Sequence, residues 1–123
     1  TLPSPQTLVL RYSVMEPPAR RNPSIVDDYA KWFLARLRGI DAVVSEQDWM
    51  CAGRFTTADV SVGYALLLAS YLGLDAQFPT AVTAYFARLR AREAYQRALD
   101  AERRAGAAQG VDFDLGAFLA GQR

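Results

Sequence analysis

Between Thr57 and Leu72 the chain offers almost no polar face: Val60, Val62, Tyr64, Ala65, Leu66, Leu67, Leu68, Ala69, Tyr71 and Leu72 cover nearly the whole circumference of a helix. A helix that is apolar all round belongs in the middle of a bundle, so this segment dictates a fold in which other helices surround it. It is too short to span a bilayer, where about 20 apolar residues are needed. Gly73 supplies the C-terminal stop, since glycine adopts the left-handed turn without penalty. At the other end, Phe55-Thr56-Thr57-Ala58-Asp59-Val60 fits a capping box and a hydrophobic staple. Thr56 is the predicted N-cap, its hydroxyl accepting the Asp59 N–H while the Asp59 carboxylate accepts the Thr56 N–H, and Phe55 is expected to pack on Val60. A general acid or base role for Asp59 lacks a partner, because the chain has no histidine and no second carboxylate at helical spacing. The structural role is the one expected.

The flanking segments are amphipathic. Ser4-Pro5 predicts a cap and first helical position, with Leu8, Leu10, Tyr12 and Met15 running on until Pro17-Pro18. Ser24 and Asp27 stand at capping-box spacing ahead of a long helix, in which Val26, Tyr29, Phe33, Leu37, Ile40 and Val44 recur three or four apart as one buried stripe. Asp27, Asp28, Lys31, Arg36, Arg38 and Asp41 fall largely off that stripe and read as a solvated face. Phe78-Pro79 opens a further helix carrying Val82, Tyr85, Phe86 and Leu89, and after Arg92 the pattern resumes at Tyr95 and Leu99 with a changed phase, as two helices or one bent one. Arg88, Arg90, Arg92, Arg97, Arg103 and Arg104 interleave with acids and are expected to form surface pairs one helical turn apart.

The expected fold class is therefore all-α, a five- to six-helix bundle around the central helix, with residues 1–105 as the domain and 106–123 as a small-residue linker followed by an apolar tail (Val111, Phe113, Leu115, Phe118, Leu119). A tail this apolar should dock somewhere. The 123 residues suit one domain, and a net charge near +1 gives no field to attract nucleic acid. Cys51, the single cysteine, cannot form an internal disulfide and is expected to fill a core in a reducing, cytoplasmic setting. No signal peptide or membrane span is readable. Thr1 is not methionine, and the sequence reads as a piece of something longer whose missing part lies upstream.

Arg54-Phe55-Thr56-Thr57-Ala58-Asp59-Val60-Ser61 resembles the segment that leads into the central helix of the glutathione transferase C-terminal domain, bacterial type included. Downstream, Phe78-Pro79 through Tyr85-Phe86-Ala87-Arg88-Leu89, then Ala91-Arg92-Glu93-Ala94-Tyr95-Gln96-Arg97-Ala98-Leu99, is similar to that family's closing motif, with Glu93 where proline is common. The motifs stand in the family's order and cover about residues 5–100.

The resemblance implies a glutathione transferase C-terminal-like fold and a division of labour. In the family a thioredoxin-like N-terminal domain binds glutathione and carries the catalytic residue, while the helical domain lines the pocket for a small hydrophobic electrophile, in detoxification reactions among others. This chain would then lack the glutathione site and be inactive alone, its parent using glutathione as co-substrate and pairing as a homodimer. Pocket residues implied on the first helix are Arg11, Tyr12, Met15 and Glu16, and on the central helix Tyr64 and Leu68, with Phe113 and Phe118 as a cover. The alternative for Tyr12, Tyr64 and Leu68 is plain core. The alternative for the whole chain is a non-catalytic protein-interaction module, because the same helical fold serves that purpose too.

Overall fold

A computed structural model of the chain describes residues 3–111, 114, 117, 118 and 121, with side chains from Pro5 onward. It is all-helical: α1 (Pro3–Leu10), α2 (Pro23–Val44), α3 (Thr57–Tyr71), α4 (Thr80–Ala91) and α5 (Glu93–Ala108), with no strand among the described residues. Short 3₁₀ turns at Pro18–Arg20 and Leu74–Gln77 join α1 to α2 and α3 to α4.

Helix α1 begins at Pro3, so Ser4 lies inside it and is not the cap that its neighbour Pro5 suggests. The α-helical part ends at Leu10 and the next turn widens to a π-helix over Arg11–Met15, closed by Glu16 N–H to the Arg11 carbonyl at 2.9 Å. Ser13 Oγ donates to the Val9 carbonyl at 2.6 Å, a back-bond that competes with the helix's own ladder. Helix α2 is capped by Asn22, whose side chain accepts the N–H groups of Ser24 and Ile25, with Pro23 at the first position. The Ser24–Asp27 box is thereby displaced, and Asp27 instead pairs with Lys31 at 2.6 Å. Along α2, Phe33, Leu37 and Val44 are buried, while Val26, Tyr29 and Ile40 are half-buried against the same core.

The core brings these side chains together with Val9 and Val14, with Leu66 and Ala69 of α3, and with Val82, Tyr85, Phe86 and Leu89 of α4. One polar side chain is sealed among them: Gln6, fully buried, donates from Nε2 to the Ala65 carbonyl at 2.8 Å and so ties α1 to α3. Gly63 lets α4 come close, for a Cβ there would stand 3.2 Å from Leu89 Cδ1. Gly73, at φ 81°, makes the left-handed stop of α3.

Two expectations fail in the packing. Helix α3 is not enclosed on all sides: Val60 is 57 % exposed and Tyr64 64 %. The cause is α5, which has no buried residue and leans on α4 instead of lying over α3. Cys51 is exposed, in the loop before α3, rather than in the core.

Candidate functional site

The loop between α2 and α3 is fastened to the bundle at one carboxylate. Asp59, 0 % exposed, accepts the Met50 N–H at 2.9 Å and the Tyr85 hydroxyl at 2.6 Å on Oδ1, and the Thr56 N–H at 2.9 Å on Oδ2. Thr56 is the N-cap of α3 and forms the capping box with Asp59. Its hydroxyl is the looser half: the Asp59 N–H points chiefly at the Thr56 carbonyl, 3.0 Å away, and the hydroxyl also lies 3.3 Å from Cys51 Sγ.

Burial is the largest single influence on Asp59 and opposes its ionisation. The hydrogen bonds from Tyr85, Met50 and Thr56, helped by the positive charge of Arg92, outweigh it and hold the carboxyl below its usual range. The Tyr85 phenol is pushed far up by burial and then by the adjacent carboxylate. With its acceptor sites engaged in this way, Asp59 is a fastening point and has no proton to exchange at neutral pH.

Arginines of α4 and of the α4–α5 break clamp the same loop from outside. Arg92 has extended backbone between the two helices, which turns its guanidinium over Phe55, 3.7 Å from the ring centroid, and over Trp49 at 5.5 Å. Trp49 in turn meets Phe55 edge-on at 5.5 Å. Arg88 donates to the Asp48 carbonyl at 3.2 Å, and Arg90 lies over Phe86. The expected turn-spaced pairs occur farther along, as Arg97–Glu93 and Arg104–Asp100, but Arg88, Arg90 and Arg92 take rings instead. The helix therefore breaks at Arg92 with Glu93 following, and no proline is required.

Beside this node lies a groove of about 330 Å³. Val60, Gly63, Tyr64 and Leu67 of α3 form one wall, and Leu89, Ala94 and Tyr95 of α4 and α5 the other, with Phe55 and Arg92 at its head. Its surface is almost wholly apolar. The Tyr95 hydroxyl is buried without a hydrogen-bond partner among the described residues, and burial, foremost, raises its pKa.

Of the pocket residues inferred from sequence, the structure brings Tyr64 to the groove and leaves it exposed, so Tyr64 is not core. Leu68 is half-buried and packs on the core. Arg11, Tyr12, Met15 and Glu16 are gathered elsewhere, at the π turn: Arg11 Nε donates to Glu16 Oε1 at 2.7 Å, stands over the Tyr12 ring, and by that hydrogen bond holds the Glu16 carboxyl below its usual range, while Met15 points out exposed. Phe118 is exposed, and Phe113, Leu115 and Leu119 lie outside the described residues. Sequence reading missed the partners of Asp59 on other elements, Tyr85 and Met50, and the stacking of Arg92; the one available signal was Trp49 and Phe55 flanking a loop with an arginine-rich helix downstream. Among the described residues there is no group of three or more metal-binding side chains, and no helix is long and apolar enough to cross a membrane.

Compared with known proteins, the chain matches no family model, no curated protein and no solved structure.

Proposed function

We propose that the chain is the electrophile-facing helical domain of a glutathione transferase-like protein. The observation that carries this reading is the Thr56–Asp59 capping box at the head of the central helix, its carboxylate held by Tyr85 across 26 residues of sequence, with the apolar stripe of that helix left open as the wall of a groove. An apolar groove of this size suits a small hydrophobic ligand. It does not suit glutathione, a charged tripeptide whose carboxylates and amine need donors and acceptors that these walls lack. In this reading a thioredoxin-like domain of the parent binds glutathione and lowers the pKa of its thiol, while Tyr64 and the apolar walls of the groove orient the electrophile and exclude water; Leu68, packed on the core, and Arg11, Tyr12, Met15 and Glu16, at the turn after α1, stand outside the groove. The parent acts as a cytoplasmic homodimer.

The test is calorimetry of glutathione with this chain and with the full-length parent, beside an assay of both with a chloronitrobenzene electrophile. The chain alone should be silent and the parent should turn over, with Tyr64→Ala raising KM for the electrophile and not for glutathione. Glutathione binding by the chain alone refutes the reading, as do unchanged Michaelis constants. A second reading, a non-catalytic interaction module, draws on the same open stripe, because an exposed apolar surface with no polar lining also fits a protein partner. Silence from both proteins selects it.

A further inference from the structure

Helix α2 carries an aromatic patch that faces away from the core. Trp32 is 48 % exposed, the Tyr29 ring stands 5.5 Å from it, and the Arg36 guanidinium lies over its face at 4.8 Å. All three side chains come from the same helix and hold one another, so the indole is positioned before anything meets it. A tryptophan half in water, framed by tyrosine and arginine, has the composition that dominates contacts between proteins.

The charges around Trp32 are placed symmetrically about it. Asp28 and Arg36 stand four residues before and four after it, on one ridge of the helix and about 6 Å away along the axis in each direction. Asp28 is exposed and has no cation within ion-pair distance among the described residues, Lys31 being taken by Asp27. Beside this ridge runs a row of small residues, Ala35 and Gly39. Gly39 is exposed inside α2, and a Cβ added there would meet nothing within 4 Å. Glycine inside a helix is unfavourable relative to alanine, and no neighbour within the described residues requires it here.

An acid, an aromatic ring and a base at equal steps along one ridge are self-complementary under a two-fold axis. When two copies of α2 run antiparallel with that axis at Trp32, Asp28 of each copy comes opposite Arg36 of the other and the two indoles lie side by side. Ridges of residues four apart run parallel when the helices cross at about −50°, each ridge seated in the groove beside its counterpart. Here that groove is floored by Ala35 and Gly39, which leaves room for the indole of the other copy. Asp27, Lys31 and Arg38 lie a quarter-turn or more around the helix from Trp32 and stay off this face.

We propose that the Asp28–Trp32–Arg36 face of α2 is a self-association surface, and that its occupant is the same face of a second copy of this chain, antiparallel and crossing at Trp32. A parallel pair would set Asp28 against Asp28 and Arg36 against Arg36, so the charges select the antiparallel arrangement. A contact built on one helix ridge belongs with transient pairs, which bury less than about 1,200 Å², and the pair exchanges with monomer. The inference goes beyond the transferase reading: it names where two copies of this chain meet, and it is decided without glutathione or an electrophile.

Sedimentation velocity of the full chain from about 5 to 500 µM tests it, with a rise from monomer toward dimer expected across the series. Asp28→Arg and Arg36→Asp, both checked for helix content by circular dichroism, should each weaken self-association on the order of tenfold, because like charges then face each other. An equimolar mixture of these two variants should associate as the parent chain does, since every acid again meets a base. Gly39→Leu fills the floor of the groove and should abolish the dimer, while the open space at Gly39 lets the chain fold unchanged. A chain that stays monomeric throughout overturns the proposal and leaves the glutathione assay standing. A dimer that all three variants retain overturns it too and assigns the contact to another face. Failure of the mixture to recover what the single charge reversals lose refutes the antiparallel register, and the proposal with it.

Discussion

Asp59→Ala is the substitution that most directly tests the node at the head of α3. It removes an acceptor from three donors: the Tyr85 hydroxyl, which is buried, and the Met50 and Thr56 N–H groups, which are partly buried. A buried donor left unpaired costs about 1–3 kcal/mol. The two backbone donors are nearer solvent and recover water in part, so about 1 kcal/mol each is reasonable within the same range. The sum, about 4 kcal/mol, is a large share of the roughly 5–15 kcal/mol that holds a domain of this size together. Urea unfolding at pH 7 measures it, and a loss below about 1.5 kcal/mol would mean the carboxylate is not the fastening point. The pH dependence carries its own sign. Because the folded carboxyl lies below its ordinary value, its contribution is complete above the unfolded value of about 3.9 and is lost as pH falls through the folded value. The gap between parent and Asp59→Ala should therefore narrow in acid; a gap that stays constant from pH 7 to pH 2.5 would refute the ionised state assigned to Asp59.

Other substitutions separate the parts. Thr56→Ala should cost only about 0.5–1 kcal/mol in a thermal melt, the low end for a cap, because its hydroxyl is the looser half of the box; a loss as large as that of Asp59→Ala would reverse this ranking. Arg92→Ala removes the guanidinium from Phe55 and Trp49 and should cost about 1–2 kcal/mol, with the fluorescence of Trp49 moving to the red; unchanged emission would place the clamp elsewhere. Gly73→Ala forces a side chain into left-handed backbone and should lower stability by about 1–2 kcal/mol in the same urea titration. Tyr64→Ser, at an exposed position, should change stability by less than about 0.5 kcal/mol.

Local rules made much of this legible. The Thr56–Asp59 box, the glycine stop after α3 and the buried positions of α4 depend on residues a few places apart, and periodicity and capping report such neighbours directly. Where two local signals competed, the nearer donor geometry prevailed: Asn22 took the cap of α2 from Ser24 because its side chain reaches both the Ser24 and Ile25 N–H groups.

What the sequence determined alone is the all-helical class and the rough positions of the main helices, because backbone hydrogen bonding and hydrophobic spacing are local properties of the chain; whether one helix or two follow Phe78-Pro79 stayed open. Only the tertiary structure decided which side of α3 stays open, that Tyr85 would meet Asp59, and that Arg88, Arg90 and Arg92 would turn to aromatic rings rather than to acids one turn away. Each of these depends on where α4 and α5 sit relative to the α2–α3 loop. That placement follows from the close approach allowed at Gly63 and the backbone turn at Arg92, which join groups far apart in sequence and leave no periodic trace in it.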